Sequence, residues 1–138
     1  MKPRVLLIED NEVNRYLVQY VLERAGIEVD IAIDGLQGIE AARARRPDLI
    51  LMDIRMPHLD GYQATERLKA DPALRDIPVV ALSAHAMPHE KARALQAGCV
   101  AHIEKPIEVA SFIAQLLPWL PPGAAAKPAG DAAQSTDA

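Results

Sequence analysis

Five short apolar runs recur along this chain, and segments with helical periodicity separate them. The runs begin at Val5, Ile27, Leu49, Val79 and Val100. Three of them are nearly continuous in apolar residues, which is typical of strands covered on both faces in a parallel sheet. The run from Ile27 alternates more, so we expect that strand at an edge. The alternation of strand-like runs with helical segments along the chain predicts a doubly wound α/β sandwich with a five-stranded parallel sheet.

The segments between the runs carry start and stop signals for helices. Residues 12–24 place apolar side chains on one stripe, formed by Val13, Leu17, Val21 and Leu22, and Gly26 follows as a stop. Asp34 and Asp60 are residues that cap helices. They predict helices to about residues 45 and 70. Two further helices are predicted over 88–97, before Gly98, and over 107–117, before Pro118.

Charge and cysteine content narrow the class of protein. The 138 residues carry a formal net charge of −4, so the chain lacks the basic footprint of a nucleic-acid-binding protein. Its lysines and arginines are scattered, and no membrane-surface patch is indicated. The one cysteine, Cys99, excludes a disulfide framework within the chain and is expected to be a small buried residue. No signal peptide is evident, and the expected location is cytoplasmic.

The last residues differ in composition from the rest. From Pro121 to Ala138 no apolar residue is larger than Ala or Pro, so this segment cannot offset its ordering entropy by burial. We expect a folded domain over residues 1–120 and a disordered Pro/Ala-rich tail over residues 121–138.

Polar side chains are predicted to meet at the carboxyl edge of the sheet, where doubly wound folds place their sites. Glu9 and Asp10 follow the first strand, Asp53 the third, Ser83 the fourth and Lys105 the fifth. Close carboxylates repel unless a cation lies among them, and hard oxygen ligands suit Mg²⁺. A carboxylate can also act as a nucleophile toward phosphorus. These residues therefore predict magnesium-assisted phosphoryl transfer.

Five motifs in order resemble the receiver domain of two-component response regulators, over roughly residues 4–118. They are Val5-Leu6-Leu7-Ile8-Glu9-Asp10-Asn11, Leu51-Met52-Asp53-Ile54-Arg55-Met56-Pro57, Asp60-Gly61, Ala81-Leu82-Ser83-Ala84-His85-Ala86 and Lys105-Pro106. The resemblance implies a flavodoxin-like fold of five β-α units.

The resemblance also implies a role for each matching residue. Asp53 would be the phosphorylation site, and Lys105 and Ser83 would bind the phosphoryl group. Glu9, Asp10, Asp53 and the backbone carbonyl of Arg55 would hold Mg²⁺. The Lys105–Pro106 peptide bond is expected to be cis.

The chain departs from the family pattern at the residues that respond to phosphorylation. The position three before the lysine is usually Tyr or Phe, and here it is His102, which is smaller and can become charged. We expect His102 to rotate inward on activation. Ser83 replaces the commoner Thr and keeps its hydroxyl. Arg55 and His85 occupy positions that tune the lifetime of the phosphoryl group.

The resemblance implies a stand-alone signalling domain rather than an enzyme, one that assists its own phosphorylation and dephosphorylation. A histidine kinase or histidine phosphotransfer protein would donate the phosphoryl group. Output would be relay of that group, or binding of a protein target through the face of helix four, strand five and helix five. We expect no nucleic acid or membrane partner, and a monomer or weak dimer.

Three alternative functions fit the sequence less well. A phosphorylation-independent scaffold would usually have lost an acidic or lysine position, and none is lost here. A haloacid-dehalogenase-type phosphatase needs an Asp two residues after the nucleophile, where this chain has Arg55. A flavin-binding sandwich is compatible with the fold, but the acidic pocket would repel a phosphate without a metal.

Overall fold

Five strands and five helices alternate along the chain in the computed structural model, which describes residues 2–56, 59–84 and 87–121. The strands are β1 Arg4–Ile8, β2 Glu28–Ala32, β3 Leu49–Asp53, β4 Val79–Ser83 and β5 Ala101–Glu104. The helices are α1 Glu12–Arg24, α2 Gly35–Ala44, α3 Gly61–Ala70, α4 Pro88–Ala97 and α5 Val109–Leu116. A short 3-10 helix, Leu117–Trp119, follows α5. The predicted fold class is confirmed, although α5 begins two residues later than expected.

All four strand pairings are parallel, and the order across the sheet is β2-β1-β3-β4-β5. The strand order reverses direction next to β1, which is where ligand sites form in open α/β sheets. All residues of β3 and β4 are buried, whereas β2 is partly exposed at the edge, as predicted. The carboxyl ends of β1, β3 and β4 therefore meet at the middle of one sheet edge.

Alternate residues of the strands enter two hydrophobic clusters, one on each face of the sheet. Leu6 and Ile8 join one cluster with side chains of α2, α3 and α4. Val5 and Leu7 join the other with side chains of α1 and α5. Cys99 is buried in the first cluster, and Trp119 packs against the second. Burial on both faces fixes the strand register, because a one-residue slip would exchange the two sets.

Helix α1 differs from prediction on one side chain. Val18, Val21 and Leu22 are buried, but Val13 is 76% exposed. The predicted stripe began one turn too early, because Val13 lies in the exposed first turn of α1. Gly26 and Gly98 follow the ends of α1 and α4 as predicted, and both adopt positive φ angles, of 83° and 115°.

Candidate functional site

Glu9, Asp10 and Asp53 come together where β1 and β3 end. Each offers a carboxylate oxygen, and these oxygens lie within 4.8 Å of one another. Glu9 and Asp53 are buried, whereas Asp10 is exposed. The predicted convergence of the three carboxylates is therefore present, with one side of the cluster open to solvent.

Backbone contacts hold Glu9 and Asp10 in place. The Glu9 backbone N–H donates to the Ala32 carbonyl at 3.0 Å, which extends the ladder between β1 and β2. The Arg15 guanidinium donates to the carbonyls of Glu9 and Asp10, both at 3.1 Å. Asn11 then caps α1 by accepting from the backbone N–H of Asn14 at 2.9 Å. Sequence reasoning missed Arg15, whose signal was only its place one turn into the helix after the acidic pair.

A close approach of α3 holds the end of β3. The Gly61 N–H donates to the Ile54 carbonyl at 2.9 Å. A Cβ built at Gly61 would lie 2.5 Å from the Asp53 carbonyl oxygen and 2.7 Å from the Ile54 Cα. Both atoms belong to the backbone, so only glycine fits here without moving the acceptor strand. The motif Asp60-Gly61 was recognised in the sequence, but this steric reason was not.

Lys105 reaches into the acidic cluster from the end of β5. Its Nζ donates to Glu9 Oε1 and Asp53 Oδ1, both at 3.2 Å. The Lys105 backbone N–H donates to the Ser83 carbonyl at 2.6 Å, which fixes the strand end beside β4. The Lys105–Pro106 peptide bond is cis, in agreement with the expectation from the family.

The carboxylates and the ammonium shift one another's pKa in opposite directions. Burial, and then the hydrogen bond and charge of Glu9, raise the pKa of Asp53 from 3.8 to about 7, although Lys105 opposes this rise. Burial lowers the pKa of Lys105, but the charges of Asp53 and Glu9 and their hydrogen bonds to its ammonium together outweigh burial and raise that pKa overall. Lys105 thus neutralises only part of the negative charge around Asp53.

The donor set fits a hard divalent cation. Three carboxylates face one ammonium, and the buried Asp53 retains a raised pKa beside Glu9. A cation among these oxygens would remove that repulsion. Mg²⁺ prefers oxygen ligands and usually keeps several waters, which suits a cluster with one exposed member. Among the residues described, Glu9, Asp10 and Asp53 are therefore the ones that could hold it.

Ser83 and His102 lie beside this cluster and contact each other. The Ser83 Oγ and the His102 Nε2 are 2.8 Å apart. Ser83 is buried, and it directly follows Leu82, which pairs with Asp53 across β3 and β4. The hydroxyl is therefore carried by the strand next to the acceptor strand, one residue beyond the level of Asp53.

Arg55 follows Asp53 and turns toward α4. Its backbone N–H donates to Asp53 Oδ1 at 3.3 Å, and its guanidinium lies 3.5 Å from Glu90 Oε2. Sequence reasoning did not identify Glu90, which carried no motif. The predicted position His85 lies outside the described residues, so its tuning role stays a prediction.

Comparisons with known proteins agree with this geometry. The model of the response regulator receiver domain matches residues 5–117. The polar-differentiation response regulator DivK of Brucella anthropi is 43% identical over 120 residues, which are 87% of this chain and 98% of that protein. This chain belongs to the response regulator receiver domain family of two-component signalling, rather than to the aspartyl-nucleophile phosphatases.

Solved structures show the same fold. The receiver domain of the sensor histidine kinase PA1611 from Pseudomonas aeruginosa, with magnesium coordinated in its active-site cleft, is 37% identical with a TM-score of 0.80, covering 86% of this chain and 98% of that one. The chemotaxis protein CheY4 of Vibrio cholerae is 25% identical with a TM-score of 0.83, covering 87% and 100%. Within the described residues, no helix is both long and apolar enough to span a bilayer.

Proposed function

We propose that this chain is a single-domain response regulator in which Asp53 accepts a phosphoryl group with the help of Mg²⁺. One observation carries the proposal. The Asp53 carboxylate is buried at a strand end, within 4.8 Å of two further carboxylates and 3.2 Å from the ammonium of Lys105. Such a site can neutralise the charge of a phosphoryl group while it presents an oxygen nucleophile.

The transfer proceeds from a phosphohistidine on a donor protein. An oxygen of Asp53 attacks the phosphorus, the new O–P bond forms as the N–P bond breaks, and the electron pair stays on the imidazole nitrogen. A bound Mg²⁺ supplies charge neutralisation for the phosphoryl oxygens. Lys105 shares its ammonium between Glu9 and Asp53 in the resting state. It turns one of these contacts toward the phosphoryl group after transfer.

Metal binding falls to Glu9, Asp10 and Asp53, together with the backbone carbonyl of Arg55. The PA1611 receiver, which has magnesium in its cleft, supports this assignment. The Arg55 side chain, which carries a guanidinium, is 65% exposed next to the site. We assign to it, and to His85, the tuning of phosphoryl lifetime. The phosphoryl group leaves by hydrolysis assisted by the same residues.

The response is carried by α4, β5 and α5. Ser83 connects to this region through His102 on β5, and Arg55 connects to it through Glu90 on α4. Leu95 and Val109 are 58% and 55% exposed on these helices, so the region offers apolar surface to a partner. The output is binding of a protein target there, or relay of the phosphoryl group to another histidine protein. The likeness to DivK favours a role in cell polarity or differentiation.

Phosphotransfer from a labelled histidine kinase or phosphotransfer protein tests the proposal. The parent chain should become labelled in the presence of Mg²⁺ and lose most labelling in the presence of a chelator. Asp53→Asn should not be labelled, whereas the matched control Asp76→Asn, at an exposed position, should match the parent. Equal labelling of Asp53→Asn and the parent would refute the proposal.

A further inference from the structure

A guanidinium is bonded to two successive carbonyls in the connection between β1 and α1. Arg15 Nη1 donates to the carbonyl oxygens of Glu9 and Asp10, at 3.1 Å in each case. In the part of the chain that the structure describes, Arg15 forms no ion pair with a carboxylate. The contacts of the Arg15 guanidinium are therefore with the backbone of the acidic pair rather than with its carboxylates.

The position of Arg15 in α1 is unfavourable for a positive charge. Asn11 caps the helix, and the Arg15 backbone N–H donates to the Asn11 carbonyl at 2.9 Å, which closes the first turn. The helix dipole carries partial positive charge at this end, so a cation here lowers helix stability. Side chains of a helix point back toward its amino end, and this one reaches the carbonyls before α1. Those two bonds compensate the unfavourable position.

The two carbonyls belong to the peptide planes on either side of the Asp10 Cα. Because a peptide unit is planar, a bond that fixes its carbonyl also fixes its N–H. The Asp10 carbonyl shares its plane with the N–H of Asn11, which donates to Glu9 Oε2 at 3.2 Å. Arg15 therefore orients the donor that holds the Glu9 carboxylate. By holding both planes, it also sets the direction in which the Asp10 side chain leaves the backbone.

Asp10 depends on this support more than the other two acidic residues do. Glu9 and Asp53 are buried, and both accept from the ammonium of Lys105, whereas Asp10 is exposed. An exposed side chain has few neighbours to hold it, so its backbone decides where its oxygens lie. Mg²⁺ demands nearly ideal geometry from its ligands, and a ligand that is already in place costs less to bind than one that must be ordered.

We propose that Arg15 is a positioning residue, which fixes the peptide planes on both sides of Asp10 and so holds the carboxylates of Glu9 and Asp10 in place for Mg²⁺. This role rests on the proposed function, in which these carboxylates bind the metal. It differs in sign from a role of charge alone. A guanidinium that acted only through its charge would repel Mg²⁺, so its removal would strengthen metal binding. Removal of a guanidinium that positions the ligands weakens metal binding instead.

Two substitutions separate position from charge. Arg15→Met keeps an unbranched stem but loses the charge and the donor. Arg15→Lys keeps the charge and offers three N–H donors at a shorter reach. We expect Arg15→Met to bind Mg²⁺ about tenfold more weakly than the parent, the low end of the range for groups that support metal ligands. Arg15→Lys should lie between the two, whereas charge alone predicts tighter binding by Arg15→Met and parent affinity for Arg15→Lys.

Titration of the full, unphosphorylated chain with Mg²⁺, followed by calorimetry, measures these affinities. Arg24→Met is the matched control, because Arg24 is exposed in the last turn of the same helix and contacts only the ring of Tyr20 in the described part of the chain. It removes the same charge and should bind Mg²⁺ within about twofold of the parent. A similar loss in Arg24→Met would overturn the positioning role.

Nuclear magnetic resonance tests the two hydrogen bonds in the absence of metal. The carbonyl ¹³C resonances of Glu9 and Asp10 should move upfield in Arg15→Met, because each carbonyl loses a hydrogen bond, and should stay in place in Arg24→Met. Unchanged carbonyl resonances in Arg15→Met would overturn the inference. Melting temperatures of the metal-free chains show whether each variant is folded.

Loading of Asp53 by acetyl phosphate shows at which step Arg15 acts. At limiting Mg²⁺, Arg15→Met should load about tenfold more slowly than the parent, in proportion to its weaker metal binding. At saturating Mg²⁺ the two rates should agree within about twofold, because the residue acts on metal binding rather than on transfer. A deficit that saturating Mg²⁺ does not reduce would overturn the positioning role.

The outcomes separate this inference from the proposed function. A parent chain that binds no Mg²⁺ overturns both, and a parent that binds Mg²⁺ without loading overturns the proposed function alone. A parent that binds Mg²⁺ and loads, with Arg15→Met binding the metal as tightly or more tightly, overturns the role of Arg15 alone. If Arg15→Met does not fold, Arg15→Lys decides, since charge alone predicts parent affinity for it and positioning predicts weaker binding.

Discussion

The first three helices and the last two begin in different ways. Side chains of Asn11, Asp34 and Asp60 accept hydrogen bonds from the first turns of α1, α2 and α3. Within the described part of the chain, Met87 and Glu108 precede α4 and α5 without such a bond. The helices of the amino-terminal half of the fold (residues 4–70) therefore have side-chain caps, which the two helices of the carboxyl-terminal region (residues 88–116) lack.

The carboxyl-terminal region is connected to the candidate site by side-chain contacts instead. His102 contacts Ser83, Lys105 contacts Asp53, and Glu90 contacts Arg55. The amino-terminal half, which carries Asp53, thus has its own helix caps. The carboxyl-terminal region, which we expect to respond to phosphorylation, instead contacts Asp53 and its neighbours. A change of charge at Asp53 should alter the second half more than the first.

The largest expected effect is a loss of stability in the amino-terminal half, from a substitution at the start of α3. Gly35 and Gly61 both begin helices directly after a capping aspartate, but only at Gly61 would a new Cβ collide with backbone atoms of the acceptor strand. Gly61→Ala should lower the free energy of unfolding by about 1–3 kcal/mol, the usual range for overpacking. Gly35→Ala is the matched control and should cost less, because its nearest contacts are longer, at 3.0 Å to the Leu59 side chain and 3.1 Å to the Leu59 carbonyl oxygen. Denaturant unfolding of both variants checks this, and equal losses would contradict the steric account.

The next largest effect is a change of stability when the negative charge of Asp53 is removed. In the absence of Mg²⁺, Asp53→Asn should raise the free energy of unfolding at pH 8 by about 1–3 kcal/mol, because it removes a buried carboxylate held beside another. Added Mg²⁺ should raise the melting temperature of the parent more than that of Asp53→Asn. A variant no more stable than the parent would show that Lys105 already compensates the cluster.

The pH dependence of this difference follows from the raised pKa of Asp53. Its pKa rises from 3.8 in the unfolded chain to about 7 in the fold, so the folded state favours the protonated acid. The contribution is present below pH 3.8 and is lost as the pH rises toward 7. The stability difference between Asp53→Asn and the parent should therefore grow over that range and then level off. Chemical unfolding at several pH values measures it, and a flat difference would contradict the shift.

A smaller effect sharpens the contrast between helix starts. Asp34→Ala should cost about 1 kcal/mol, because the Asp34 side chain accepts from the Gln37 backbone at 2.8 Å. Glu108→Ala should change stability by less than about 0.5 kcal/mol, since it removes no bond to the helix backbone and only one exposed hydrogen bond, from Ser111 Oγ at 2.7 Å. Thermal unfolding compares the two variants. If Glu108→Ala cost as much as Asp34→Ala, the difference between the two regions would not hold.

The smallest expected effect is the contribution of His102 to the pH dependence of stability, which has the opposite sign to that of Asp53. Burial lowers the pKa of His102 below its usual 6.5, so the folded state favours the neutral ring. This contribution to stability is present above pH 6.5 and is lost as the pH falls below it. His102→Gln should lose less stability than the parent on acidification from pH 7 to pH 5. Parallel melting curves of the two chains would reveal it, and superimposable pH profiles would argue against the burial of His102.

The sequence predicted the elements well because their signals are local. The bounds of α1 and α4, the caps at Asp34 and Asp60, and the edge position of β2 all follow from periodicity or single residues. The meeting of Glu9, Asp10, Asp53 and Lys105 was predictable because parallel strands bring their carboxyl ends to one edge. The contacts of Arg15, Gly61 and Glu90 were not, since each depends on how separate elements pack in three dimensions.

The most direct test of the account is to locate the phosphoryl group on the chain itself. The full chain is incubated with acetyl phosphate and Mg²⁺, and intact-mass and peptide mass spectrometry then find the modified residue. We predict a gain of one phosphoryl group, carried by Asp53, that is absent from Asp53→Asn and greatly reduced in Lys105→Ala. A phosphoryl group on another residue, or equal modification of Asp53→Asn, would contradict the account.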